Sequence, residues 1–456
     1  MDLERAPRET SLGPSIHAEL SELDVLAEAN RCLNCYDAPC TRACPTHIDV
    51  ASFIQKIGTG NLKGSARVIM QANPMGASCA RVCPTEDLCE GACVYADDDR
   101  PIRIGDLQRY ATDWLVKSGV DLFQPGRATG KNIAIVGSGP AGLSATRELR
   151  RLGHAVTIFD ANPALGGLNT YGIVPFRLPM DVALWEAQQV LKLGVDVHTG
   201  VSVGDDVAPS ELIARFDAVI LACGMGSVPP LGIPGEDLDG VWDALEFIER
   251  AKCGDGIRAP GPSVAVIGAG NTAIDALTCA KRLGAPRVTM YYRRGESDMT
   301  AYPFEYDFAK HEGVEFRWYC TPIRMLGEGP MVRAVEFVRT APGRPSGTLA
   351  RPLPAAIPGS EFVVEAQTVI RATGQSRLSD LIGGFGLAQS HGIVAVDETL
   401  RTSHPKVFAA GDCIFAKGSR EAMVVEAAEQ GKTAAASAHR MLCQAPAAIT
   451  QSSVAQ

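Results

Sequence analysis

Residues 132–160 read NIAIVGSGPAGLSATRELRRLGHAVTIFD. A β-branched run, a glycine turn, a helical stretch and a second β-branched run together predict a βαβ unit. The turn, Gly137-Ser138-Gly139-Pro140-Ala141-Gly142, follows a strand and opens a helix, and Asp160 stands 18 residues beyond Gly142. The glycines let backbone approach a pyrophosphate seated on the helix N-terminus, and an acid at that distance suits ribose hydroxyls. The bland alternative is a tight packing turn with no ligand.

The same grammar returns at 263–294, SVAVIGAGNTAIDALTCAKRLGAPRVTMYYRR. From Gly137 to Gly268 is 131 residues, too long for a solenoid repeat, so the chain reads as two dinucleotide-binding domains. The second turn is Gly268-Ala269-Gly270-Asn271-Thr272-Ala273, and its second strand ends in Arg293-Arg294 with no acid. Guanidinium pairs with a 2′-phosphate that a carboxylate repels, so this site favours NADPH over NADH; a solvated arginine pair is the alternative.

Strand phrases follow at 216–224, 367–375 and 407–413. Ala410-Gly411-Asp412, in the last of them, is expected to close the first site and not the second. A dinucleotide with a ribityl chain needs such a second clamp. FAD is therefore expected in the first domain, with the NAD(P) domain inserted into it. The expected fold is α/β, a helical N-terminal domain followed by two Rossmann-like domains. The expected boundaries are 1–124 for the helical domain, 125–243 with 366–445 for FAD, 244–365 for NAD(P)H, and 446–456 for a frayed tail. The five prolines within 341–359 predict an exposed loop between two strands of the second nucleotide domain.

The net charge of −9 argues against nucleic acid as a main partner, and no run of 18 apolar residues offers a membrane span. The polar first residues lack a signal core, which makes a cytoplasmic location the expectation. Of 14 cysteines, eight lie between Cys32 and Cys93. They fall as Cys32-x2-Cys35-x4-Cys40-x3-Cys44-Pro45, Cys79, and Cys83-Pro84-x4-Cys89-x3-Cys93. Runs ending in Cys-Pro resemble ferredoxin segments, in which the last cysteine of a run serves the other cluster. Zinc would use two C-x2-C pairs, and only Cys32/Cys35 is present. His47 reads as a hydrogen-bonding neighbour. Cys223, Cys253, Cys279, Cys320, Cys413 and Cys443 supply no C-x-x-C for a redox disulfide and read as buried small hydrophobes.

The glycine turns and the closing phrase resemble the two-dinucleotide flavoproteins of the pyridine-nucleotide disulfide-type reductase class. More specifically, CLNCYDAPCTRACPTHIDV (32–50), NPMGASCARVCPTEDLCEGAC (73–93), IGDLQRYATD (104–113), GGLNTYGIVPFRLP (166–179) and AAGD (409–412) resemble the N-terminal half of dihydropyrimidine dehydrogenases. They resemble still more the flavin and iron–sulfur subunit of the bacterial separate-chain form. A wider likeness includes the small subunit of NADPH-dependent glutamate synthase.

The resemblance implies one [4Fe–4S] cluster on Cys32, Cys35, Cys40 and Cys93, and a second on Cys44, Cys83, Cys89 and Gln108, leaving Cys79 without iron. A plain count of eight cysteines for two cubanes would use Cys79 instead. The resemblance also implies FAD on Gly137–Gly142, Asp160, Gly167, Leu168, Arg177, Gly411 and Asp412. It places NADPH on Gly268, Gly270, Asn271, Thr272, Arg293 and Arg294. The pyrimidine-reducing half of such enzymes is a separate FMN barrel, and barrels of that class need about 250 residues. The expected role is thus NADPH oxidation at FAD and delivery of electrons to an FMN and iron–sulfur partner subunit in a heterotetramer. The rivals are an input subunit for another acceptor, glutamate synthase foremost, and a redox-sensing flavoprotein with structural iron.

Overall fold

The computed structural model describes residues 12–98, 100–254, 260–343, 353–415 and 422–443. The tail expected over 446–456 and the centre of the proline-rich loop lie outside them. The chain divides into two compact units. The larger comprises Leu20–Gly167, Leu184–Gly224 and the chain from Arg377; the smaller comprises Leu168–Ala183, Met225–Ser376 and the described residues up to Glu19.

The larger unit opens with six helices: α1 (Glu22–Arg31), α2 (Pro39–Ala43), α3 (Val50–Gly58), α4 (Leu62–Ala72), α5 (Gly76–Val82) and α6 (Ile104–Ser118). Their limits follow from local chemistry. Ser21, Asp49 and Asn61 cap α1, α3 and α4 with side-chain oxygens, and Gly119 stops α6 in the left-handed conformation at φ 64°. Cys44 and Cys83 end α2 and α5 in extended conformation, as a following proline requires. Apolar faces from these helices meet over Phe53, Ile54, Ile57, Ile69 and Leu107, all buried.

Five parallel strands then form a sheet in the order β16-β4-β1-β2-β3. They are β1 (Asn132–Val136), β2 (Ala155–Asp160), β3 (Asp196–Thr199), β4 (Ala218–Leu221) and β16 (Val407–Ala409). Helix α7 (Pro140–Arg151) crosses from β1 to β2 and packs on α15 (Val424–Cys443). Helices α10 (Pro209–Arg215) and α14 (Ser379–Gly384) and the hairpin β14 (Gln389–Ser390) and β15 (Ile393–Val394) complete the unit. Helix α9 (Met180–Leu191) carries the chain between the units.

The smaller unit repeats the topology. Its parallel sheet runs β5-β13-β6-β7-β8, from β5 (Val241–Asp243), β6 (Ser263–Ile267), β7 (Arg287–Tyr292), β8 (Glu315–Trp318) and β13 (Thr368–Arg371). Helices α8 (Leu168–Tyr171), α11 (Ala244–Cys253), α12 (Asn271–Arg282) and α13 (Pro303–His311) accompany it. A second, antiparallel sheet joins β9 (Cys320–Glu328), β10 (Met331–Ala341), β11 (Ala355–Ala356) and β12 (Phe362–Glu365).

Two expectations about boundaries differ from this arrangement. The sequence reading assigns 241–243 and 366–371 to the first nucleotide domain, yet β5 and β13 lie in the second sheet, where β13 pairs with both β5 and β6. The reason is burial: all five residues of β6 are buried, so the strand needs a neighbour on each side. Residues 12–19 were expected in the helical domain but pack in the smaller unit. There Ile16 donates its N–H to the Phe176 carbonyl (3.0 Å), and Arg282 donates to the carbonyls of Leu12 and Pro14.

Candidate functional site

At the first glycine turn each glycine has its own reason. A Cβ on Gly137 (φ +95°) would lie 2.4 Å from the Ala222 carbonyl oxygen, and one on Gly142 would lie 2.0 Å from the Gly137 oxygen. Both are fixed by packing. Gly139 is not: a Cβ there meets no protein atom within 4 Å. Gly139 is also the N-cap of α7 and supplies no side-chain cap to the first-turn N–H groups. Packing does not explain this glycine, whereas close approach of a pyrophosphate does.

Asp160, at the end of β2, reaches back beneath the turn. Its carboxylate accepts from the Ser138 N–H (2.7 Å), the Ser138 hydroxyl and the Asn162 N–H (2.8 Å). Gly167 (φ +54°) closes on Gly139, where an added Cβ would stand 2.8 Å from its Cα. The phrase near position 410 arrives at the same place. Strand β16 pairs with β4, and the Ala410 N–H donates to Leu221 (2.9 Å). Gly411 (φ +79°) then turns beside Ala141, at 3.1 Å from an added Cβ, and donates its N–H to Gln430 (2.8 Å). Desolvation raises the carboxyl pKa of the half-buried Asp412 against the attraction of Arg377. Arg377 donates to the carbonyls of Asp412 and Phe415 at 2.9 Å and so fixes this corner. The donor set and the open face at Gly139 fit a dinucleotide with a clamp at each end.

In the smaller unit Gly268 (φ +141°) is fixed by the Ala372 carbonyl, 2.2 Å from an added Cβ. Gly270 caps α12 with no side chain, and Thr272 lies in the first turn. Asn271 accepts the Tyr302 N–H (3.0 Å) through Oδ1, tying the turn to α13. Arg293 and Arg294 follow β7; Arg293 is exposed and Arg294 partly so. Their carbonyls accept from Thr340 and Tyr319, which holds the pair in place by backbone.

Leu168 and Arg177 are counted with the smaller unit. The Arg177 guanidinium pairs with both oxygens of Asp275 at 3.0 Å and with Glu305 at 2.5 Å. All three are buried, and a buried guanidinium needs such carboxylates. Lys252, fully buried, holds the preceding loop by donating to the carbonyls of Asn169, Ile173 and Leu178.

None of the eight N-terminal cysteines is in a disulfide, and most of them lie close enough to act on one another's charge. Burial raises the pKa of Cys32, and Cys35 and Cys93 raise it further. Burial pushes Cys40 up to about 11, with Cys93 and Cys32 adding to it. Cys83 is raised by a hydrogen bond with Cys79, by burial, and by Cys89 and Cys44. Burial also raises Cys89, with contributions from Glu90, Cys44 and Cys40. Among the described residues no three His, Cys, Asp or Glu side chains gather tightly enough for one metal ion. A cubane, with its ligands on separate irons, needs a wider set.

Asn34, Asp37 and His47 adopt positive φ in these loops, so backbone strain accompanies the thiols. Gln108 is buried on α6 and donates Nε2 to the Gly76 carbonyl (2.7 Å). Cys79 stands against Cys83, as either a ligand or a thiol that hydrogen-bonds to one. Of the six other cysteines, Cys253, Cys279, Cys320 and Cys413 are buried as expected and Cys223 partly; Cys443 is exposed. Sequence reasoning missed Gln430, Arg377 and Glu186, whose partners lie at separations that no local pattern reveals.

This is the architecture of a flavoprotein with two dinucleotide sites and an appended iron–sulfur module. Residues 131–431 match the family described as pyridine nucleotide-disulphide oxidoreductase, and residues 12–120 match dihydropyrimidine dehydrogenase domain II, 4Fe-4S cluster. The NAD-dependent dihydropyrimidine dehydrogenase subunit PreT of Salmonella typhimurium is 36% identical over 422 residues, covering 92% of this chain and 95% of that protein. The glutamate synthase [NADPH] small chain of Escherichia coli is 34% identical over 439 residues, covering 92% of each. Among solved structures, Mycobacterium tuberculosis FprA in complex with NADPH aligns with TM-score 0.56 at 21% identity, over 68% of this chain and 84% of that one. Thioredoxin reductase from T. acidophilum aligns with TM-score 0.54 at 20% identity, over 69% of this chain and 100% of that one, and both show the fold alone. The chain belongs to the pyridine nucleotide-disulphide oxidoreductase family, in the branch of the dihydropyrimidine dehydrogenase subunit PreT: an NAD(P)H-dependent flavin and iron–sulfur electron-transfer subunit. None of its described helices is long and apolar enough to cross a membrane.

Proposed function

We propose that this chain is the electron-input subunit of a cytoplasmic dihydropyrimidine dehydrogenase. FAD would take hydride from NADPH and release single electrons through two [4Fe–4S] clusters to a separate FMN-containing subunit, which reduces uracil or thymine within a heterotetramer. Gly139, Gly167 and Gly411 admit the flavin dinucleotide, Asp160 orders the turn through Ser138, and Asp412 sits at the opposite clamp. Gly270, Asn271 and Thr272 present helix N–H groups to the nicotinamide dinucleotide, and Arg293 with Arg294 take the 2′-phosphate. Cys32, Cys35, Cys40 and Cys93 hold one cluster; Cys44, Cys83, Cys89 and Gln108 hold the other.

The observation that carries this reading is that the cysteines between Cys32 and Cys93 are charge neighbours of one another within the same compact unit as the first glycine turn. A second reading, input to a glutamate synthase, is favoured by the 34% identity to that small chain. Tyr36-Asp37-Ala38-Pro39-Cys40 and Gln108 favour the pyrimidine reading. Tagged protein is recovered from its own cells, its partner is identified by mass spectrometry, and the complex is assayed with uracil, thymine, and 2-oxoglutarate plus glutamine. An FMN barrel with uracil-dependent NADPH oxidation supports the proposal; a glutaminase-bearing partner with glutamate formation overturns it.

A further inference from the structure

Cys443 is the only exposed cysteine among the described residues, and it ends a line of side chains that begins in the interior. It closes α15, with His439 one turn earlier on the same helix. Its Sγ lies 3.5 Å from Nδ1 and 3.9 Å from Nε2 of that imidazole. Behind His439 stands a second ring, His154, at the entry to β2, with Nε2 2.8 Å from His439 Nδ1. His154 is fully buried, and its Nδ1 lies 2.7 Å from the Thr129 hydroxyl oxygen. Thr129, His154, His439 and Cys443 all belong to the larger unit.

The line has a direction. Thr129 donates its hydroxyl proton to the Gly153 carbonyl at 3.3 Å and accepts the Lys131 N–H at 3.3 Å. Its oxygen is therefore the acceptor for His154 Nδ1–H. Nε2 of His154 is then bare and accepts from His439 Nδ1–H. The lone pair of His439 is left on Nε2, within reach of the thiol. Burial lowers the pKa of His154, and so does His439, against the opposite pull of Asp217, so the inner ring stays neutral. The negative end of the α15 dipole favours a proton on His439, in the last turn.

We propose that Cys443 is a thiol-modification site at which His439 acts as base and a small disulfide is the co-substrate. The thiol proton passes to His439 Nε2, and the Cys443 thiolate attacks one sulfur of the disulfide. The new S–S bond forms as the old one breaks, and the leaving thiolate takes the proton from His439. One protein thiol and one disulfide give one mixed disulfide and one small thiol. The Cys443 sulfur is oxidised, the released sulfur is reduced, and a further small thiol reverses the exchange. His154 and Thr129 touch neither sulfur; they are positioning residues that fix the tautomer of His439. The thiol chemistry rests on no cofactor assignment.

The test treats the purified full chain with oxidised glutathione at neutral pH, quenches with an alkylating agent at intervals and reads each cysteine by peptide mass spectrometry. Cys443 should gain glutathione, removable by dithiothreitol, about threefold to tenfold faster in the folded chain than in the same chain unfolded in urea. His439→Gln should bring the folded rate down to the unfolded one. Thr129→Val should slow it severalfold, and Thr129→Ser should restore it. Equal Cys443 rates in the folded and unfolded wild-type chain overturn the proposal without reference to any variant's folding. A His439→Gln chain that reacts as fast as wild type overturns it as well.

Discussion

Glu186 caps a helix that begins 110 positions earlier in the chain, at Gly76. Its carboxylate accepts the N–H groups of Ala77 (2.7 Å) and Ser78 (3.1 Å) and the Ser78 hydroxyl, in the first turn of α5. Met75, the N-cap residue, offers no side-chain bond, so the cap is supplied from α9. Helix α5 carries Cys79 and ends at Cys83, which makes Glu186 a positioning residue for that thiol neighbourhood.

Burial lifts the Glu186 carboxyl from 4.5 to about 7, against the opposing pull of its hydrogen bonds and of Arg81. A carboxyl raised on folding binds a proton that the unfolded chain releases. Its stabilisation is complete below the unfolded pKa and is lost as pH rises through the folded one. Between pH 4.5 and about 7, Glu186→Gln should therefore show a shallower fall of melting temperature with pH than wild type. Glu186→Ala, which leaves buried donors unpaired, should cost about 1–3 kcal/mol at any pH. Equal slopes for wild type and the Gln variant in a pH series of thermal melts would refute the assignment.

Gly139 and Gly142 should respond oppositely to alanine. At Gly139 the added methyl meets no protein atom, so unfolding free energy should stay within about 0.5 kcal/mol while bound flavin falls. Gly142→Ala drives a methyl into the Gly137 carbonyl and should lower soluble yield and melting temperature together. Flavin absorbance per chain and a denaturant titration separate the two effects.

Replacing Arg293 and Arg294 with neutral residues should raise the NADPH KM by on the order of tenfold to several hundredfold, the worth of a lost charge-assisted phosphate pair. The NADH KM should hardly move. Steady-state kinetics with both nucleotides decide it, and a wild-type preference for NADH would remove the arginines from the phosphate site.

Cys79→Ser should keep about eight irons per chain, as two cubanes require, whereas Gln108→Ala should perturb or lose one cluster. The influence of Cys79 on the Cys83 thiol is compatible with either role for Cys79, so iron counts and low-temperature EPR on both variants are needed. Loss of a cluster in the Cys79 variant, with Gln108→Ala unchanged, would favour the plain count of cysteines.

Much of the fold was legible because its signals are local. Gly119 stops α6, Cys44-Pro45 and Cys83-Pro84 end α2 and α5, and both glycine turns stand between the strand and helix they imply. What could not be read are pairings set by register or burial over long separations. Nothing local tells that β13 joins β6 rather than the first sheet, or that Arg177 faces Asp275 and Glu305. An ion pair leaves no periodicity behind it.

The pairing of Val407 with Val219 also sets an order of events during synthesis. Strand β4 leaves the ribosome long before β16, and the whole of Met225–Ser376 is made between them. Until β16 arrives, β4 presents an open edge of four buried-type residues, Ala218–Leu221, to other chains. The corner at Gly411 is missing for the same interval, so a nascent chain can complete its second sheet before its first dinucleotide site has two sides. The first dinucleotide site is thus the last of the two to have both of its sides in place as the chain is made.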